Sequence, residues 1–371
     1  MVEALRALGT QIVEDGEDLR VIPGPLVGPA RIDCGLAGNV MRFVPAIAGL
    51  ASGLVEFDGD PRARERPLAP LLGALRSLDI ELREQNGDQL PFSVIGSGHV
   101  QGGAVDIDAS ASSQFVSALL MAGCRFDTGL VLRSVGARVP SQPHINMTIA
   151  MMANAGIAVE TGDGPIWRVP ATCPRVGDVR VEPDLSNAMP FFAAAMVTRG
   201  RCVIPDWPTK TVQPLDLVAS LVAAFGAELT LTESGLTVEA GTHLTGCHLD
   251  MHEVGELVPT VTALAAFASS PTTITGVAHL RGHETDRLAA LASEFNALGG
   301  DVTETADGLL INPQPLASGV FHTYDDHRLA TTGAIVGLSV PGILVENVAT
   351  TAKTLPEFTA IWQGMVGKPT A

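Results

Sequence analysis

The chain has 371 residues, of which 46% are hydrophobic and 17% are charged. This length suits two domains, and the composition excludes an intrinsically disordered protein because enough apolar surface is available for large buried cores. The formal net charge of −17 makes nucleic acid and anionic membrane surfaces unsuitable partners, so an anionic substrate would need a local group of cations.

Cysteine usage and hydropathy indicate a cytoplasmic protein. The five cysteines are an odd number and form no C-x-x-C pair, which is typical of free thiols in a reducing compartment. The first residues lack the basic and apolar regions of a signal peptide, and no apolar run reaches the roughly 18 residues that a membrane helix needs. We therefore expect a cytoplasmic location and no membrane association.

A first type of predicted helix recurs along the chain, and each copy ends shortly before a predicted strand. Glycine is the usual residue at such a helix end because it adopts positive φ without a Cβ clash. The spacings between successive ends are 70, 77, 70 and 73 residues, and the end residues are Gly9, Asp79, Gly156, Gly226 and Gly299.

A second type of predicted helix is rich in Ala, Leu and Met, begins with polar residues and is followed by a strand. Its side chains are small or apolar on nearly every face, which predicts burial inside a domain with the first-type helices outside. Successive copies start 74, 74, 69 and 71 residues apart, near Asn39, Ser113, Asn187, Glu256 and His327.

Two markers with the same period predict a repeated unit of about 70 residues. Its alternating helices and strands predict an α/β fold in two domains, residues 1–175 and 180–371, with a linker near 168–179. Two domains of three units need six second-type helices, whereas the sequence has five. We therefore expect five of six units, with the first unit of the first domain missing.

The polar starts of the second-type helices are candidate anion-binding positions. A helix N-terminus presents unpaired N–H groups and a partial positive charge. Asn39 and Asn187, each taken alone, are interpreted as helix caps, since Asn is preferred there in any case. The three neighbouring polar residues Ser112, Ser113 and Gln114 exceed what one cap needs, and we predict that they bind a substrate.

Loop segments supply the cations that an anionic substrate requires. Residues 62–67 (RARERP) contain three arginines, although a run of charges is often a solvated surface. Residues 281–287 (RGHETDR) combine two arginines with a histidine and two carboxylates, and Lys353 follows a predicted strand.

Seven segments of the chain, taken in order, resemble the motif series of the EPSP synthases, a family of enolpyruvyl transferases. They read LAGNVMRF, GDPRARERPL, DASASSQFVSALLM, VPSQPHINMT, RGHETDRL, YDDHR and TAKTLPEF. The resemblance implies two domains of repeated βαβαββ units with an active site in the cleft between them. It also implies transfer of the enolpyruvyl group of phosphoenolpyruvate to the 5-hydroxyl of shikimate 3-phosphate, with release of phosphate. We expect a monomer that needs no metal or organic cofactor, and glyphosate is an expected ligand.

The motifs also imply which residues contact each substrate. For phosphoenolpyruvate they are Gly38, Arg66, Gln114, Arg287, Arg328 and Lys353. For shikimate 3-phosphate they are Ser112, Ser113, Gln114, Ser141, Glu256 and His283. Arginine suits the first set because its planar guanidinium group binds a carboxylate or phosphate through two hydrogen bonds.

The resemblance assigns the catalytic roles less completely. Glu256 matches the acidic residue that accepts a proton from the shikimate hydroxyl, although many members have Asp there. Lys353 and Glu284 are the other candidate proton carriers, and the division of labour among these residues stays open. His283 stands where many members have Lys, and His279 where many have Asn, so substrate affinity is expected to vary with pH.

One departure from the family pattern concerns the first unit. There the family carries a Lys-Ser pair and a nearby Arg that hold both substrates, and residues 1–371 offer no counterpart. We therefore expect little or no synthase activity from this chain. The alternatives are an inactive or only ligand-binding fragment, and a UDP-N-acetylglucosamine enolpyruvyl transferase, which would need a reactive loop cysteine. An RNA 3′-phosphate cyclase is disfavoured because it would need a basic surface.

Overall fold

The chain divides into two units, each with its own hydrophobic core. A computed structural model describes residues 1–85 and 87–367. Unit 1 spans Met1–Val179 and unit 2 spans Arg180–Ala371. One cluster of buried apolar side chains runs through unit 1, from Ala4 to Val169, and a second fills unit 2, from Leu185 to Trp362.

Unit 1 alternates helices and strands throughout. In chain order its elements are α1 (Val2–Ala7), β1 (Gln11–Asp15), β2 (Asp18–Ile22), β3 (Ala30–Asp33), α2 (Gly38–Ala48), β4 (Ser52–Asp58), α3 (Pro61–Arg64), α4 (Ala69–Ser77), β5 (Glu81–Glu84), β6 (Phe92–Ser97), β7 (Gly103–Ile107), α5 (Gln114–Gly123), β8 (Leu130–Ser134), α6 (Gln142–Asn154), β9 (Glu160–Thr161) and β10 (Ile166–Val169).

Unit 2 follows the same alternation and adds 3-10 helices at Gly255–Leu257, Ala278–Gly282 and Val348–Lys353. In chain order its other elements are α7 (Leu185–Thr198), β11 (Arg201–Ile204), α8 (Leu215–Ala224), β12 (Glu228–Thr232), β13 (Gly235–Glu239), β14 (His248–Asp250), α9 (Val258–Ala266), β15 (Thr272–Thr275), α10 (Arg287–Ala297), β16 (Asp301–Glu304), β17 (Leu309–Asn312), β18 (Gly319–Phe321), α11 (His327–Ser339), β19 (Ile343–Val345) and α12 (Phe358–Val366).

One sheet topology occurs three times. The four-stranded sheet of order β3-β4-β6-β5 has a parallel pair, β3 with β4, and two antiparallel pairs. Sheets of order β7-β8-β10-β9 and β14-β15-β17-β16 repeat this pattern. Each comes from a βαβαββ segment, because the parallel pair needs a helical crossover, the last two strands form an antiparallel hairpin, and a second helix separates that hairpin from the strand it extends. The predicted α/β repeat architecture is confirmed.

The five predicted second-type helices are present as α2, α5, α7, α9 and α11. Every residue of α9 is buried, including Val258, Val261 and Leu264. Burying an aliphatic side chain of this kind stabilises the fold by about 1.5–3 kcal/mol relative to exposure. The apolar character of these helices on every face therefore places them inside the two units.

Each predicted helix stop adopts the left-handed backbone conformation. The φ angles are 94° at Gly9, 59° at Asp79, 79° at Gly156, 89° at Gly226 and 89° at Gly299. The structure adds a sixth stop that the sequence analysis did not count, because Gly367, with φ of 78°, follows α12.

The boundary of the predicted linker differs from the structure. Arg168 and Val169, expected in the linker, belong to β10, and the stretch without helix or strand runs over residues 170–184. Residues 1–22 form α1, β1 and β2, which is the element order of the second half of a repeat unit. The two strands follow the helix that the sequence predicted to end at Gly9.

Candidate active site

In unit 1, two guanidinium groups converge on the first residue of α2. A methyl group added to Gly38 would lie 2.9 Å from Nη1 of Arg42 and 2.9 Å from both terminal nitrogens of Arg66. Arg66 is buried although it follows the short helix α3 in a loop. Glycine at position 38 thus leaves space in front of two cations, which is the arrangement that an anion needs.

Arg42 connects this cluster to the start of α5. Its Nη1 atom donates a 2.9 Å hydrogen bond to Oε1 of Gln114, and its guanidinium carbon lies 5.7 Å from the centroid of the Phe115 ring. Both contacts favour a buried cation. Arg42 was not among the substrate contacts predicted from the sequence, although an arginine one turn inside an otherwise apolar helix was the available signal.

The serines of unit 1 lie at the beginnings of two packed helices. Oγ of Ser112 accepts a 3.3 Å hydrogen bond from the backbone N–H of Gln114, whereas the buried Ser113 makes no side-chain cap bond. Ser141 precedes α6 with a left-handed φ of 52°. A 2.8 Å bond from Thr148 Oγ1 to Ser117 Oγ joins α6 to α5. Capping therefore accounts for Ser112 alone.

In unit 2, four charged side chains of alternating sign form a continuous network. Nζ of Lys353 lies 2.5 Å from Oε1 of Glu284, and Oε2 of Glu284 accepts a 3.0 Å bond from Nη2 of Arg287. Arg287 also donates to both carboxylate oxygens of Asp326, at 2.7 and 3.1 Å. Arg287 is 2% exposed and Asp326 is fully buried, so each charge is stabilised in the interior by the other.

The pKa shifts in this pair follow from its burial and its charges. Burial alone would lower the pKa of Arg287, but the nearby Asp326 and Glu284 carboxylates outweigh it and the pKa is raised. Burial alone would raise the pKa of Asp326, but the Arg287 charge and its hydrogen bonds hold it below the usual value. Both groups are therefore ionised at neutral pH.

Asp326 links this network to Arg328. Its Oδ1 atom caps α11 by accepting a 2.9 Å bond from the Arg328 N–H, and Nη2 of Arg328 donates a 3.0 Å bond to Ser186 Oγ. Burial and the Arg287 charge lower the pKa of Arg328, and the Glu256 carboxylate opposes that shift. Ser186 and Arg328 line one small pocket together with Asn187, His327, Thr331 and Thr354. The sequence analysis did not select Ser186.

Glu256 lies in the 3-10 helix that precedes α9, and its side chain is half-buried. Its negative charge acts on both Arg287 and Arg328, where it favours the charged guanidinium form. The structure therefore brings Glu256, Glu284, Arg287, Arg328 and Lys353 into one electrostatic neighbourhood within unit 2.

Two histidines border this neighbourhood. Nδ1 of His283 lies 3.2 Å from Nη1 of Arg287, and the histidine nitrogen must accept because arginine can only donate. The His279 ring packs edge-on against His283 at 5.6 Å between centroids. Burial, the His252 ring and the Arg287 charge together lower the pKa of His279 to about 4, so His279 is neutral at pH 7.

The remaining arginines of segment 62–67 make exposed ion pairs. Arg64 bonds both oxygens of Asp58 at 2.9 Å, and Arg62 bonds Glu65 at 3.2 Å. Within residues 1–85 and 87–367, no group of three or more His, Cys, Asp or Glu side chains is arranged to hold a metal ion. The helices of that same part of the chain include none with the length and apolar character needed to span a membrane.

Comparison with known proteins gives consistent matches over the whole described chain. The sequence model of the family EPSP synthase (3-phosphoshikimate 1-carboxyvinyltransferase) matches residues 1–362. A 3-phosphoshikimate 1-carboxyvinyltransferase of Kocuria rhizophila is 53% identical over 378 aligned positions, which cover 99% of this chain and 85% of that protein.

Two solved structures show the same fold. An EPSP synthase from Acinetobacter baumannii is 24% identical with a TM-score of 0.79, and the match covers 99% of this chain and 86% of the other. The enolpyruvyl transferase NikO from Streptomyces tendae is 17% identical with a TM-score of 0.71, covering 98% and 85%. The chain therefore has the enolpyruvyl transferase fold and belongs to the EPSP synthase family of 3-phosphoshikimate 1-carboxyvinyltransferases.

Proposed function

We propose that this chain transfers the enolpyruvyl group of phosphoenolpyruvate to the 5-hydroxyl of shikimate 3-phosphate and releases phosphate. Its place is then the shikimate pathway, which supplies chorismate for aromatic amino acids. Family membership supports the reaction type. The observation that carries the assignment to these residues is the buried network of Arg287, Asp326, Glu284 and Lys353, because it keeps cations available at low solvent exposure.

In this proposal, the cations and the glycine of the matching motifs bind phosphoenolpyruvate. Unit 1 contributes Arg66 with the open space at Gly38, and Gln114 adds a side-chain amide oriented by Arg42. Unit 2 contributes Arg287, Arg328 and Lys353. Guanidinium groups fixed by neighbouring carboxylates lose little freedom on binding, so they hold a phosphate or carboxylate at small entropic cost.

The residues proposed to bind shikimate 3-phosphate are Ser112, Ser113, Gln114, Ser141, Glu256 and His283. The hydroxyl groups and the start of α5 supply donors for a phosphate. His283 accepts from Arg287 through Nδ1, which leaves its Nε2–H as a donor. A neutral donor at this position suits a sugar hydroxyl better than a phosphate.

The chemistry requires two proton movements. The substrate hydroxyl loses a proton to Glu256 while its oxygen adds to C2 of phosphoenolpyruvate, and C3 gains a proton from Lys353 or Glu284. The tetrahedral intermediate then returns a proton from C3 to that same residue and releases phosphate, which regenerates the double bond. The 2.5 Å contact between Lys353 and Glu284 supports a shared proton-transfer role for this pair.

A finer proposal concerns the number of repeat units. Within the described residues, second-type helices number two in unit 1 (α2 and α5) and three in unit 2 (α7, α9 and α11). This count supports five of six units, three of which have the full four-stranded sheet, and a turnover lower than that of longer family members. The monomeric state and the cytoplasmic location stay predictions from the sequence.

For the alternative acting on UDP-N-acetylglucosamine, four of the five cysteines are unsuitable, which leaves the exposed Cys173 as the candidate. A reactive cysteine needs a thiolate at neutral pH. Burial raises the pKa of Cys34 to about 12, and burial also raises the pKa of Cys124, Cys202 and Cys247.

The test is phosphate release measured with both substrates, with each alone, and with UDP-N-acetylglucosamine as acceptor, alongside the Kocuria rhizophila relative. We expect release only with phosphoenolpyruvate and shikimate 3-phosphate together. The variant Arg328→Lys should raise KM for phosphoenolpyruvate at least tenfold, and Arg62→Lys, an exposed control, should leave it within about twofold.

Three results would count against parts of this proposal. Absence of release together with calorimetric binding of shikimate 3-phosphate would indicate a protein that only binds ligand. Release with the UDP-sugar would indicate the other transferase. Turnover equal to that of the relative would contradict the lower activity expected from the unit count.

A further inference from the structure

Glu294 is a buried carboxylate of α10 to which neither the sequence motifs nor the proposed reaction assigns a role. It is 2% exposed and lies two helical turns after Arg287 on the same helix. Its Oε2 atom accepts bonds from the backbone N–H of His322 at 2.8 Å and from Nδ1 of His322 at 3.1 Å. Its Oε1 atom accepts a 2.7 Å bond from the hydroxyl of Tyr324.

These partners belong to a turn with an unfavourable backbone. Tyr324 and Asp325 both have left-handed φ angles, 52° and 56°, which residues with a Cβ atom rarely adopt in succession. Asp325 is held on its other side, since its Oδ1 accepts a 2.7 Å bond from Asn347 and its carbonyl accepts a 2.8 Å bond from Thr350. Such a conformation persists only where the surroundings impose it.

Side chains of helix α10 form hydrogen bonds with this turn at two points. Glu294 holds its beginning through His322 and Tyr324, and Arg287 holds its end through Asp326. Asp326 in turn caps α11, so the direction in which Arg328 leaves that helix depends on the same turn. The positions of Arg287 and Arg328 are therefore coupled through one short segment, residues 322–326.

We propose that Glu294 is a positioning residue that sets the 322–326 turn and thereby the orientation of Arg287 and Arg328 toward the anionic substrate. The carboxylate accepts three hydrogen bonds, and an amide in its place would offer only one accepting oxygen. The effect on catalysis rests on the proposed function, whereas the effect on the turn does not.

The competing explanation is a purely structural role, in which Glu294 stabilises unit 2 as a whole. The two explanations differ in where a substitution acts. A positioning role predicts faster amide exchange at residues 322–328 and weaker binding of phosphoenolpyruvate. A structural role predicts lower stability throughout unit 2 with unchanged substrate binding in the protein that remains folded.

The first experiment does not depend on catalysis. Amide hydrogen exchange is measured for Glu294→Gln and for Leu291→Val, a control that changes a buried residue of the same helix. Under the proposal, exchange at 322–328 accelerates at least tenfold in Glu294→Gln and not in Leu291→Val, with the rest of unit 2 unchanged. Uniform acceleration across unit 2 would overturn the proposal.

A spectroscopic readout reports the Glu294–Tyr324 contact directly. Tyr324 is the only tyrosine of the chain, so rapid alkaline pH jumps followed by ultraviolet absorbance titrate this phenol alone. Burial and the hydrogen bond to Glu294 raise its pKa above the usual value. In Glu294→Gln the apparent pKa should move down, and an unchanged titration would contradict the contact.

The kinetic experiment uses Glu294→Gln, Tyr324→Phe and the double variant. We expect KM for phosphoenolpyruvate to rise about tenfold in Glu294→Gln, which corresponds to 1.4 kcal/mol, with little change in KM for shikimate 3-phosphate. The rise in KM for phosphoenolpyruvate in the double variant should be smaller than the product of the two single rises, because both substitutions break the same contact. Equal KM values in Glu294→Gln and Leu291→Val would overturn the proposal. If the unsubstituted chain shows no turnover, the proposed function fails, and exchange and titration still decide the role of Glu294.

Discussion

The Nζ atom of Lys353 lies 2.5 Å from Oε1 of Glu284, and the second oxygen of that carboxylate accepts a hydrogen bond from Arg287. One carboxylate is thus shared between a partly exposed ammonium group and a buried guanidinium group. A proton that moves at Glu284 changes the field at both cations.

Removing the Lys353 charge tests the proton-transfer assignment. In Lys353→Met we expect kcat to fall by roughly 10²–10⁴-fold, because a positioned acid or base contributes that much. Lys210→Met removes a charge from an exposed turn and should leave kcat unchanged. Steady-state phosphate release measures both, and a Lys353→Met rate within a few fold of the original would exclude Lys353 as a proton carrier.

The open space at Gly38 can be filled by a single methyl group. In Gly38→Ala the new Cβ would lie 2.9 Å from terminal nitrogens of Arg42 and Arg66, so both guanidinium groups must shift. We expect KM for phosphoenolpyruvate to rise about tenfold, equivalent to 1.4 kcal/mol. Gly73→Ala, where no atom lies within 4 Å of the added Cβ, is the matched control. Equal KM values for the two variants would show that the Gly38 space does not matter for binding.

Breaking the buried Asp326–Arg287 pair should destabilise unit 2. Asp326→Asn leaves Arg287 without its main counter-charge, and we expect a loss of about 3 kcal/mol in the free energy of unfolding at pH 7. The folded pKa of Asp326 is lowered, so this stability is present above the unfolded value of about 3.9 and is lost as pH falls through the folded value.

Urea unfolding of the original chain and of Asp326→Asn measures this difference as a function of pH. The gap between the two should narrow in acid below pH ~4. The exposed Asp163→Asn serves as control, and its free energy of unfolding should equal that of the original chain at neutral and at acid pH. A gap that stays constant into acid would mean that the Asp326 charge does not carry the effect.

His327 adds a separate acid sensitivity at higher pH. Burial and the Arg328 charge lower its pKa to about 3, whereas an unfolded histidine titrates near 6.5. The unfolded chain therefore binds a proton first, and stability is complete above pH ~6.5 and declines by about 1 kcal/mol per pH unit below it. In His327→Gln the decline between pH ~6.5 and ~4.5 should be shallower, although stability at pH 7 is lower. An unchanged slope in His327→Gln would refute the assignment.

Local features of this fold were predictable from the sequence. The helix stops at Gly9, Gly156, Gly226 and Gly299 follow from a backbone requirement that one residue type meets best. The second-type helices follow from side chains that are apolar on every face, as in α9.

The contacts within the site were decided by tertiary structure alone. Arg42 meets Gln114 across 72 residues, Lys353 meets Glu284 across 69, and Arg328 meets Ser186 across 142. These separations are close to one or two repeat lengths, because equivalent helices of the repeat units, such as α2 with α5 and α7 with α11, pack directly against each other. A sequence pattern specifies φ angles and burial, which depend on near neighbours. Which cation faces which distant carboxylate depends on how whole repeat units pack, and no local sequence pattern contains that information.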